Sequence, residues 1–139
     1  MTIRQLSIFI ENKGGTLIRF LDLISQANIQ IIASTIADTK DYGIFLVLCT
    51  EPSRAYLILK EAGINFQLSD VFAITIDHEP GRAAQVVKAI SDADISILYL
   101  YSFLWKDKGV LAFRANPAER AKEIIMLKKM DFLTEEDFR

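Results

Sequence analysis

Two octets carry the residues best suited to chemistry. Residues 10–17 read IENKGGTL and residues 76–83 read IDHEPGRA. Each runs from an apolar residue through an acid and polar or charged residues to a glycine, Gly15 or Gly81. An apolar pattern of helical spacing follows in both. A glycine lets the backbone turn tightly and leaves room for a neighbour to approach. The first N–H groups of a helix have no internal acceptor, and the helix dipole favours an anion at that end. A carboxylate would suit such a place. Asn12 can donate and accept together, which suits a ligand carrying both a carboxylate and an amine. The same residues also make an ordinary turn and cap with Asn12 bonding locally, and they leave both readings open.

Other chemistry is poorly supplied. His78 is the only histidine, so a multi-histidine metal site is excluded and a zinc hydrolase is not expected. No serine or cysteine stands at a nucleophile's spacing from it, so His78 is expected to be an exposed loop residue that hydrogen-bonds. The single cysteine, Cys49, lies in the apolar run GIFLVLC and reads as a buried thiol. No phosphate loop or cofactor motif is readable, and neither cofactor nor metal is expected.

The elements that must position the octets repeat. An offset of 66 positions (81 − 15) superposes the two halves without a gap. It matches Ala27 with Ala93, Ile29 with Ile95, Gly43 with Gly109, Arg54 with Arg120 and Phe66 with Phe132. The matches fall on turns and apolar faces, which marks a duplication. Each copy begins with an alternating strand holding Ile8 and Ile10, or Ile74 and Ile76. A helix follows, with Leu17, Phe20, Leu21, Ile24 and Ala27, or Ala83, Val86, Val87, Ile90 and Ala93, on its apolar stripe. Second strands are expected over 29–37 and 95–104, and third strands over 44–49 and 110–114, joined by polar turns. Second helices start after Glu51-Pro52-Ser53 and Asn116-Pro117-Ala118, and the first of them ends at Gly63. Short closing strands are expected over 65–68 and near Phe132.

The order is βαββαβ, twice: an α+β, ferredoxin-like sandwich in tandem, with domains 1–69 and 70–139. In the second copy Leu98, Leu100 and Leu104 alternate with Tyr99, Tyr101, Phe103 and Trp105. A strand apolar on both sides is expected to be buried on both. The aromatic row reads as packing rather than a nucleic-acid platform, because its strand lacks basic partners. Arg54 and Arg120 read as solvated charges, and the TEEDF run near the end as a frayed acidic tail.

Bulk properties agree. The 139 residues are 51% hydrophobic, enough to build a core. Sixteen Lys and Arg against eighteen Asp and Glu give a net charge of −2, no electrostatic footprint for nucleic acid or an anionic membrane. With neither a signal-peptide pattern nor a spanning apolar run, a cytoplasmic protein is expected.

The stretch ENKGGTLIRFLDLISQANIQI resembles the opening of an ACT domain: a strand, then Asn or Asp, two residues, Gly, an apolar helix and a second strand. IDHEPGRAAQVVKAISDADISI resembles it again, with the typical Pro-Gly at Pro80-Gly81. Across the whole chain the likeness is to small bacterial proteins made of two ACT domains. It implies a regulatory, non-catalytic module that binds a free amino acid, usually at an interface between two copies. It implies ligand contacts at Asn12, Lys13, Gly14, Gly15, Thr16 and Gln30, with Gly14 standing where the family usually has Pro. The matching positions of the second copy are His78, Glu79, Pro80, Gly81, Arg82 and Ser96. The first copy keeps the family's Asn and is expected to hold the principal site. A homodimer and an amino-acid-metabolism enzyme as partner are further expectations. The alternative is a structural subunit that has lost its ligand and only modulates an enzyme.

Overall fold

The two halves of the sequence build matching strands and helices, but the single strand Phe66–Ile76 both closes the first half and opens the second, and the closing strand expected near Phe132 is reduced to one bridge with Ile74. The structure, a computed structural model, describes residues 1–10, 15–38 and 41–139. The elements run β1 (Ile3–Ile10), α1 (Gly15–Gln26), β2 (Ile31–Asp38), β3 (Gly43–Cys49), α2 (Pro52–Glu61), β4 (Phe66–Ile76), α3 (Arg82–Asp92), β5 (Ser96–Trp105), β6 (Lys108–Asn116) and α4 (Ala118–Leu127). A 3-10 turn follows at Glu135–Phe138. They gather into two compact units. One comprises Arg4–Ser69 with Phe138–Arg139, the other Met1–Ile3 with Asp70–Asp137.

In the first unit β3 lies between β1 and β2, antiparallel to both. The Phe9 N–H donates to the Asn65 carbonyl at 3.1 Å, so the segment leading into β4 lies beside β1. In the second unit β6 lies between β4 and β5. Thr75 donates to the Asp131 carbonyl and Leu133 to that of Ala73, around a bridge between Ile74 and Phe132. This is the same strand order twice, as a split βαβ requires.

The cores repeat residue for residue. Phe20 and Ile24 of α1, with Ala55 and Leu59 of α2, pack on Ile8, Phe45 and Val47. Val86 and Ile90 of α3, with Ala121 and Ile125 of α4, pack on Ile74, Leu111 and Phe113. Each member of the first set lies 66 positions before its counterpart in the second (86 − 20). All four helices end in a left-handed residue: Asn28, Gly63, Asp94 and Lys129. Beyond three of these, Ile29, Ile64 and Met130 donate back to Ile24, Leu59 and Ile125 at 3.0–3.1 Å, closing otherwise orphaned carbonyls.

Four features differ from expectation. β4 runs unbroken over eleven residues, because FQLSDVFAITI contains neither Gly nor Pro to interrupt it. The leucines of β5 are not buried: Leu100 is 41% and Leu104 72% exposed. The register explains this. β5 pairs only with β6 among the described residues, and Leu100 and Leu104 stand opposite Phe113 and Gly109 at the sheet edge. Val110 and Ala112, one strand inward, are fully buried. Tyr99, Tyr101, Phe103 and Trp105 are half-buried instead, and burial, with Tyr99 a lesser cause, raises the pKa of the Tyr101 hydroxyl. The third departure is the acidic tail, which is capped rather than frayed. Thr134 N–H donates to Asp137 Oδ2 at 2.7 Å, and Phe138 is buried. Last, Arg54 is not a free surface charge. It pairs with Glu51 and donates to the Ala27 carbonyl at the end of α1, while Arg19 of α1 donates to the Ala62 carbonyl at the end of α2. Two antiparallel helices thus each satisfy the other's C-terminus.

Candidate functional site

In the second repeat the loop after β4 is built around Asp77. Its Oδ1 accepts the Glu79 N–H at 3.1 Å, an Asx turn, and both its oxygens accept from Arg82 Nε at 2.9 and 3.1 Å. Arg82 also reaches Glu79 Oε2 at 2.9 Å and Gln85 Oε1 at 3.1 Å. Gly81 caps α3 at φ 88, a left-handed conformation that a side chain would strain. His78 Nε2 lies 2.9 Å from the Asp107 carbonyl. A carbonyl only accepts, so that nitrogen carries the proton, and the bond ties the loop to the β5–β6 turn.

The loop walls a groove of about 520 Å³. Ile74–Asp77 of β4 and its end, His78 of the loop, Arg82, Gln85 and Val86 of α3, Asp107 of the turn, Lys108 at the start of β6, and Lys129–Asp131 after α4 line it. Arg82 is already engaged. Lys108, Lys129, Asp107 and Asp131 enter no side-chain ion pair among the described residues. The groove therefore offers cations, carboxylates and an apolar floor together, a lining suited to a small zwitterion.

The Arg82 guanidinium, then the Glu79 N–H, hold the Asp77 carboxyl below its ordinary range, and Asp77 raises Arg82 in return. A depressed carboxylate pKa stabilises the fold above the unfolded value of about 3.9 and loses that contribution as pH falls through the lower folded value. A carbon-detected NMR titration should place the Asp77 midpoint below that of a free aspartate, and Arg82→Gln should return it. An unshifted wild-type midpoint would refute the pairing.

The expected site residues divide. His78, Glu79, Gly81 and Arg82 come together on one loop. Ser96 does not join them: it opens β5 after α3 has run its eleven residues, about 16 Å at 1.5 Å per residue. In the first repeat Gly15 and Thr16 open α1, whereas Gln30 follows its far end, about 18 Å away along twelve residues. There Gln30 exchanges hydrogen bonds with Thr50 and lines a separate groove with Leu21, Asn28 and Ile31. Asn12, Lys13 and Gly14 lie outside the described residues. Gly15 has no described atom within 4 Å of where a Cβ would stand. Sequence reasoning missed Asp77 as the organiser of its loop, and Lys129 and Asp131 as groove residues. The acid shared by both octets, Glu11 and Asp77, was the available signal for the first.

Comparison with known proteins agrees with this architecture. The family described as an ACT domain pair matches residues 1–139. A crystal structure of a protein from Bacteroides thetaiotaomicron shares 32% identity, covers 99% of this chain and 96% of its own, and superposes with a TM-score of 0.92. The ligand-free regulatory subunit of aspartate kinase from Thermus thermophilus is 12% identical, with 89% of this chain and 90% of that one covered and a TM-score of 0.61. Its Thermus flavus counterpart is 14% identical at the same coverage, with a TM-score of 0.57. These two share the fold. No curated protein sequence matches significantly. No described helix is long and apolar enough to cross a membrane. Two βαββαβ units, each with its strand–glycine–helix loop and matched end to end by one family, make this chain a member of the ACT domain pair family.

Proposed function

We propose that the chain is a non-catalytic regulatory protein that binds a free amino acid between two copies of itself. The observation that carries the reading is the repeated strand–loop–helix turn in an ACT pair, together with the separation of its two site segments. One helix length divides Gly15 from Gln30, and Gly81 from Ser96. A ligand touching both segments needs a second domain. Antiparallel pairing of one β5 edge with the same edge of another chain would set the Trp105 end of one strand beside the Ser96 end of the other. The His78 loop of one chain then faces the start of β5 in its partner, and the two segments meet. The β5 edge suits such a contact, because SILYLYSFLW contains no charge and no proline to discourage pairing. Isologous pairing about a two-fold axis is also the commonest way that identical chains associate. Binding at that seam couples ligand concentration to association, as a sensor requires.

The experiment is calorimetric titration of the chain with the twenty standard amino acids, repeated on Ser96→Ala at the start of β5. Saturable binding by at least one of them, weakened about tenfold or more by the substitution, is the expected result. Silence across the panel overturns the reading. It would leave the alternative, a ligand-free subunit that modulates an enzyme of amino-acid metabolism.

A further inference from the structure

We infer that the groove of the second repeat is an amino-acid pocket in its own right, with Lys129 as its carboxylate contact and an aliphatic side chain as its preferred guest. The inference rests on the amino-acid reading above but needs no second chain, since every lining residue belongs to one unit.

The argument begins with a backbone angle. Four helices end in left-handed residues. Asn28, Gly63 and Asp94 are types that tolerate this conformation. Lys129, at φ 54, is not. It stands 66 positions after Gly63 (129 − 63), which occupies the same turn of the first repeat at φ 72 with open space around it. The second repeat therefore carries a lysine where its duplicate shows that glycine serves the fold better. That lysine lines the groove. Strained residues persist where their side chains are used.

The surrounding charge indicates the use. Arg82 is bound to Asp77 and Glu79, so it has little left for an incoming anion. Lys129 enters no side-chain ion pair among the described residues, and Lys108 across the groove is in the same position. Asp131, two residues beyond Lys129, adds a carboxylate for an ammonium group to the same lining. Ile76, Val86 and Met130 make the remaining wall apolar. A zwitterion with an aliphatic side chain satisfies all three features. A ligand with a charged side chain would leave that charge on the apolar wall.

The test is Lys129→Gly, the first repeat's own residue, in the full chain. Wild type and variant are titrated with alanine, valine, leucine, isoleucine, aspartate and lysine, and their melting is compared. The expected result is a paired one. Aliphatic amino acids bind about tenfold or more weakly to the variant, as for loss of a charged contact. The variant's Tm rises by roughly 3–5 °C, because glycine relieves the left-handed strain. Unchanged affinity and stoichiometry in the variant overturn the inference, as does preference for aspartate or lysine over the aliphatic set. If Ser96→Ala weakens binding and Lys129→Gly does not, the dimer site stands and the groove falls. If the wild type binds nothing, both fall.

Discussion

Replacing Leu100 and Leu104 together by lysine is expected to give a folded chain that no longer self-associates. Both side chains stand on the helix-covered side of the sheet, opposite Phe113 and Gly109, yet 41% and 72% of their surfaces face water. Neither belongs to the buried core, so the fold loses little when they change. In a β5–β5 pair the same leucines would be covered twice, once from each chain. Burying a leucine contributes roughly 1.5–3 kcal/mol, and four of them are lost in the double variant. Two rows of lysines brought face to face add repulsion. The dimer should weaken by more than about a thousandfold, since each 1.4 kcal/mol is a factor of ten. Sedimentation equilibrium checks this, with circular dichroism to confirm the fold. A wild-type monomer at 100 times the concentration of the ligand assay, or a variant that still dimerises, would show that β5 is not the seam.

The second large effect lies in the core. Phe20 is fully buried and meets Phe45 edge-on, with ring centroids 5.7 Å apart and an interplanar angle of 85°. Phe20→Ala should cost roughly 3–5 kcal/mol, through lost transfer energy, the cavity left behind and the broken aromatic pair. The duplicate position holds Val86, so Val86→Ala removes only two methyl groups, and about 2 kcal/mol is expected. Urea unfolding of the two variants compares them directly. Equal costs would mean that the repeats do not share their packing scheme.

How much of this was legible depended on whether a residue advertises its backbone. Gly63 announced the end of α2, because glycine at that point has one common use. Lys129 makes the same turn and announced nothing, although its offset from Gly63 located it. The β5 alternation marked a strand but could not say that the strand lies at an edge. Period two distinguishes the faces of a sheet, not a strand's place within it. Spacing placed a helix between Gly15 and Gln30, but the resemblance named both as ligand contacts without saying which chain supplies each. Asp77 and Arg82 are five residues apart and pair only because the turn at Gly81 folds one onto the other. The closing 3-10 turn has no apolar period long enough to read, and Phe138 alone holds its place in the interior.

One feature of the first repeat separates it from its copy. Arg19 and Arg54 bind the C-terminal carbonyls of each other's helices, so neither α1 nor α2 can fray without releasing the other's last turn. In the second repeat the same positions hold Gln85 and Arg120, which bond to Arg82 and Glu123 on their own helices. Amide exchange of α1 and α2 is therefore expected to be coupled more tightly than that of α3 and α4. Duplication has left one repeat whose two helices hold each other's ends and one whose corresponding side chains bond within their own helices.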